Sequence, residues 1–154
     1  VFSNHKAETE IYNLDAVELA SKIKNIDIAY LDPPYNQHPY GSNYFMLNLI
    51  VKNKLEVKTS KVSGITQDWN RSVFNKQRSA LLSLEEIIKN IDAKYIIISY
   101  NSEGFISFTE MNEMLNRYGK LKTVEIKYNT FRGSRNLTNR SIHVSEYLFI
   151  LKKT

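Results

Sequence analysis

Hydrophobic positions along this chain switch between two periods. Val17, Leu19, Ala20 and Ile23 fall on one side of a helix predicted over residues 16–24, with Asp15 standing where an N-cap belongs. Residues 26–31 are rich in β-branched and aromatic side chains and run into Pro33-Pro34, which ends a strand. A short first strand is expected at residues 10–12 and a helix at residues 43–52, whereas residues 53–75 are polar and show no period. The helical period returns in residues 77–91 with Leu81, Leu84, Ile87 and Ile88, followed by an apolar strand over residues 94–100. Residues 109–118 read as a second helix of this unit, with Met111, Met114 and Leu115 on one side and Gly119 as its C-cap. Strands at residues 123–128 and 145–152 then follow with a long basic loop and no helix between them.

Strand, helix, strand, helix and a terminal hairpin predict an α/β fold with a mostly parallel sheet and one antiparallel member at the C-terminal end. In such sheets ligands sit beyond the carboxyl ends of the strands. Asp32, Asn101 and the loop after Tyr128 are all expected there, Asp32 and Asn101 on one rim.

Composition narrows the class. The 154 residues suit a single domain, and no apolar run approaches the ~20 residues of a membrane span. With no signal-type start and no cysteine, the default is a cytoplasmic protein without disulfides or thiolate metal sites. His5, His38 and His143 are scattered, so no metal is expected. Lys and Arg number 21 against 16 Asp and Glu, and the resulting net charge of +5 favours a polyanionic partner.

Asp32-Pro33-Pro34-Tyr35, directly after an apolar strand, carries the chemistry. One reading makes it only a proline-rich exit from the sheet; its place at a strand end favours a site. The exocyclic amino nitrogen of adenine is a poor nucleophile, because its lone pair is delocalised into the ring. Two acceptors aimed at its hydrogens localise that pair, and a carboxylate (Asp32) with a turn carbonyl (Pro33) supplies them. Pro33 and Pro34 stiffen the turn so that both acceptors are aimed in advance. The ring of Tyr35 offers a face for an extruded base.

The segment Ile28-Ala29-Tyr30-Leu31-Asp32-Pro33-Pro34-Tyr35-Asn36-Gln37, followed by Tyr40-Gly41-Ser42-Asn43-Tyr44, resembles the Dam-like class of adenine-specific DNA methyltransferases of restriction-modification systems. Asn13-Leu14-Asp15-Ala16, Ser99-Tyr100-Asn101-Ser102-Glu103-Gly104 and Ser145-Glu146-Tyr147-Leu148-Phe149-Ile150 resemble further segments of that class. The resemblance implies a Rossmann-like methyltransferase sheet, S-adenosylmethionine as methyl donor, double-stranded DNA as substrate and direct transfer to a flipped adenine. It makes Asp15, Ala16 and Asp32 candidate cofactor contacts, although Asp15 alone also reads as a plain N-cap. The family's glycine-containing cofactor loop precedes its D-P-P-Y segment; here 31 residues precede Asp32 and no glycine occurs before Gly41. The chain is therefore expected to be one domain, residues 1–154, corresponding to the carboxyl-terminal catalytic part. The amino-terminal strands, glycine loop and target-recognition domain are missing from it, which fits a fragment, a truncated gene product or one half of a split enzyme whose amino-terminal half or subunit supplies the glycine loop.

Candidate DNA contacts are Tyr35, Tyr40, Asn43 and Tyr44 beside the turn, Arg71 near the lone Trp69, Asn101 at a strand end, and Arg132, Arg135 and Arg140 in the basic loop. Two other functional readings stay open at this level: a methyltransferase acting on RNA or a protein amide, and a non-catalytic nucleic-acid-binding remnant.

Overall fold

A computed structural model describes residues 7–53, 58–61, 72–129 and 143–154. Five helices occur among them: α1 (Ala16–Lys22), α2 (Tyr40–Asn43), α3 (Phe45–Lys52), α4 (Gln77–Asn90) and α5 (Phe108–Asn116). Four strands, β1 (Ile26–Leu31), β2 (Ala93–Asn101), β3 (Gly119–Asn129) and β4 (His143–Lys153), form one sheet in the order β1-β2-β4-β3. β1 and β2 pair parallel with Leu31 opposite Ile98, and α4 makes the crossover between them. β4 pairs antiparallel with both β2 and β3. Three strands therefore run one way and β4 runs against them, as the terminal hairpin implied, while the sheet as a whole is mixed. The carboxyl ends of β1, β2 and β3 share one rim, which carries Asp32 and Asn101.

The core lies on one face. Along β2, Ile96, Ile98 and Tyr100 point into it, and their neighbours Ala29 on β1 and Phe149 and Leu151 on β4 do the same. Helix α4 presents Ala80, Leu84, Ile87 and Ile88, an i, i+4, i+7, i+8 stripe, and α5 presents Met111, Met114 and Leu115. Burying each large apolar side chain stabilises the fold by roughly 1.5–3 kcal/mol. Among the described residues, no helix packs on the opposite face beside Ile28, Tyr30 and Ile126, which are 59, 60 and 62% exposed there. Parallel α/β sheets normally bury both faces. Among the described strands β1 ends the sheet, paired with β2.

Several local expectations change. Residues 10–12 form no strand and Ile11 is 91% exposed, because nothing among the described residues pairs with that backbone. The helix expected at residues 43–52 starts earlier and is broken at Tyr44, which caps α2 and opens α3. Gly119 is not the cap of α5, a role Arg117 takes. Gly119 instead begins β3, where a Cβ would stand 2.1 Å from the Lys152 carbonyl oxygen, so a side chain would block the pairing with β4. The helix over residues 77–91 and the strand over 26–31 lie where expected. No helix among the described residues is long and apolar enough to cross a membrane.

Candidate active site

Asp15 accepts from the backbone N–H of Val17 at 2.9 Å and of Glu18 at 3.5 Å, capping α1. Both bonds use Oδ1, so Oδ2 can take a second partner. The same residue faces a cleft of about 240 Å³ between the start of α1, the end of β1 and α4. Asp15, Ala16, Asp32, Pro33 and Pro34 line it, with Tyr30, Leu31, Ser72, Phe74, Leu84 and Ile87. The three expected cofactor positions thus meet in one place, with two carboxylates set in mostly apolar walls.

The D-P-P-Y turn is anchored on both sides. The Tyr35 carbonyl accepts from Phe105 N–H at 2.9 Å, and its ring meets Tyr100 edge to face at 6.3 Å. The Asn36 carbonyl accepts from Asn75 Nδ2 at 2.8 Å. Asn75 is buried and forms a reciprocal cap with Ser72 in a 3-10 turn, Val73–Asn75. Sequence reasoning left this turn unplaced and missed Ser72, Phe74 and Asn75, since the stretch has no hydrophobic period. The S-x-x-N spacing at Ser72 was the available signal. Asp32 itself is exposed at the rim.

Beyond the turn, Tyr40 and Tyr44 stack at 5.7 Å between ring centres, each about half exposed, with exposed Asn43 on the same helix. Burial, and then the negative charge of Asp32, pushes the Tyr40 phenol above its ordinary value. Asn101, expected as a DNA contact, is 6% exposed. Its Nδ2 donates to Glu146 at 2.9 Å and lies 3.2 Å from the Tyr128 hydroxyl, while its Oδ1 accepts from Glu103 N–H at 2.8 Å. The amide thus bonds to three protein partners. Burial, then the Glu146 carboxylate, raises the Tyr128 phenol above its usual value. Arg71, Arg132, Arg135 and Arg140 lie outside the described residues.

Residues 1–114 match the family model of the D12 class N6 adenine-specific DNA methyltransferases. The chain belongs to this class. It is similar to the type II methyltransferase M.NlaIII of Neisseria lactamica, at 36% identity over 94% of this chain and 43% of the relative. Similarity to the type II methyltransferase M.CviAII of Paramecium bursaria Chlorella virus 1 is 37% over 92% of this chain and 41% of the relative. With the modification methylase StsI of Streptococcus sanguinis it is 36% over 99% of this chain and 23% of the relative. The chain therefore spans less than half the length of these relatives. In this D12-class chain the matched residues include the cleft, the D-P-P-Y turn and the Tyr35–Tyr100 contact.

Proposed function

We propose that this chain is the catalytic portion of a restriction-modification enzyme that methylates the exocyclic amino group of adenine in double-stranded DNA. The observation that carries the reading is Asp32-Pro33-Pro34-Tyr35 at the carboxyl end of a parallel strand, beside a cleft with two carboxylates. Asp32 and the Pro33 carbonyl accept hydrogen bonds from the two amino N–H groups, Pro33 and Pro34 hold the acceptors in aim, and Tyr35 stacks on the extruded base. Tyr40, Asn43 and Tyr44 stand where they can close over that base. Arg71, Arg132, Arg135 and Arg140 are proposed phosphate contacts, and Asn101 supports the rim.

The cleft fits part of S-adenosylmethionine. Apolar walls at Leu31, Phe74 and Ile87 suit a planar purine, and the Asp15 carboxylate suits ribose hydroxyls or a cationic group. When bound, the cofactor supplies an electrophilic methyl group on a sulfonium. Asp15 and Ala16 hold one end of it and Asp32 lies toward the reacting end. At about 240 Å³ the cleft falls below the ~300–1,000 Å³ of a complete small-molecule site. A second portion carrying the glycine loop completes it under this proposal. The open edge of β1 and the bare sheet face with Ile28 and Tyr30 suit an added strand and a second helix layer, completing a Rossmann-like sheet.

Calorimetric titration of S-adenosylmethionine, into the chain alone and into the chain joined to a relative's glycine-loop portion, tests this. Binding should be weak or absent in the first case and saturable in the second. No binding to the joined protein would overturn the cofactor assignment.

A further inference from the structure

The end of β2 and the turn that follows it each touch the catalytic turn once, and they are held from behind by a carboxylate outside the cleft. At the front, Phe105 N–H donates to the Tyr35 carbonyl at 2.9 Å and the Tyr100 ring meets the Tyr35 ring edge to face. The turn itself is closed by Gly104 N–H to the Asn101 carbonyl at 2.9 Å and Glu103 N–H to Asn101 Oδ1 at 2.8 Å. It is packed against Tyr100, whose hydroxyl accepts from Ile106 N–H at 3.2 Å. A Cβ on Gly104 would come within 2.3 Å of the Tyr100 ring, so the turn packs directly on the ring. At the back, one oxygen of Glu146 on β4 accepts from Asn101 Nδ2 at 2.9 Å and from the Tyr128 hydroxyl at 3.2 Å. Asn101 is buried, and a charged acceptor is the strongest partner such an amide can have.

We propose that Glu146 is a positioning residue for the catalytic turn, fixing the direction of Asn101, and through the 101–105 turn the carbonyl and ring of Tyr35. This rests on the proposed function above for its consequence in turnover, and on geometry alone for the mechanical linkage. Glu146 is not among the residues that line the cleft. Removing its carboxylate takes away the shorter of the two Nδ2 bonds and leaves the amide held from behind only by the 3.2 Å contact to the Tyr128 hydroxyl; the weaker hold loosens Phe105 and with it the aim of the catalytic turn.

The linkage is read in the chain itself by amide hydrogen exchange, and its consequence by steady-state methyl transfer. In Glu146→Ala the Phe105 amide should exchange about tenfold faster while Ile96 and Ile98 in β2 keep their protection. Glu146→Gln, whose Oε1 can still accept both bonds, should stay within about threefold of wild type. In the enzyme completed by a glycine-loop portion, Glu146→Ala should lower kcat about tenfold or more with both KM values within about twofold. Unchanged Phe105 exchange in Glu146→Ala overturns the proposal. So does a rise in the KM for DNA at unchanged kcat, which would make Glu146 a DNA contact. If Glu146→Ala exposes the β2 amides as well, Glu146→Asp decides: it keeps the charge but withdraws it by one methylene. It should show faster Phe105 exchange over an intact sheet, and wild-type exchange there overturns the linkage. Absence of turnover in the completed wild-type enzyme would strike the proposed function, and the exchange comparison would still settle the role of Glu146.

Discussion

At the residue scale the account rests on Asp32 and Tyr35, which share a turn but not an environment. Asp32 is exposed, so its removal should leave the fold intact. Asp32→Ala is expected to reduce methyl transfer by about 10²–10³-fold with an unchanged melting temperature, measured by transfer kinetics and calorimetry. Tyr35 is half buried against Tyr100 and the core, a role the sequence did not reveal. Tyr35→Phe should keep most activity because stacking needs the ring. Tyr35→Ala should lose far more, and about 0.5–1.5 kcal/mol of stability with the edge-to-face contact. Equal losses in the two variants would assign the work to the hydroxyl. The residue identities of the turn were legible because two prolines after an apolar strand mark both its place and its stiffness. Asn101 was legible only as a strand-end polar group; whether such an amide faces DNA or Glu146 depends on a partner on another strand, 45 residues away.

At the element scale, α1 and α5 show how capping sets the frame. Asp15 serves as the cap of α1 and as a cleft wall, so two substitutions separate the roles. Asp15→Asn should keep the helix and weaken cofactor binding, whereas Asp15→Ala should weaken binding and also cost about 1 kcal/mol. Helix α5 begins with a reciprocal cap between Ser107 and Glu110, and hydrogen bonds from Ser107 lower the Glu110 carboxyl below its ordinary value. A lowered carboxyl contributes stability above the unfolded-state value and loses it as pH falls through the folded-state value. Acid unfolding of Glu110→Gln should therefore lack part of the slope that wild type shows below the ordinary glutamate range. Unbroken periodic runs made α4, β1 and β2 readable from sequence. The Val73–Asn75 turn was not, since its contribution is one side chain, Asn75, reaching back to Asn36.

At the scale of the whole molecule, among the described residues one sheet face is packed by α4 and α5 and the other lies bare, with β1 open at the edge. Ile88 is fully buried on the packed face, and Ile88→Ala should destabilise the chain by about 2–5 kcal/mol in denaturant unfolding. Composition and period gave the α/β class, but the place of β4 between β2 and β3 is a long-range pairing that no local pattern encodes. The bare face, the small cleft and a chain less than half as long as its relatives agree with one another. Each is consistent with the proposal above, in which a second portion completes the cleft. The most direct test of the central claim is product analysis after methyl transfer. Duplex DNA is incubated with labelled S-adenosylmethionine and the chain joined to a glycine-loop portion, then digested to nucleosides. The account predicts label in N6-methyldeoxyadenosine, lost in Asp32→Ala. Label in deoxycytidine, label in RNA but not DNA, or undiminished label with Asp32→Ala would contradict it.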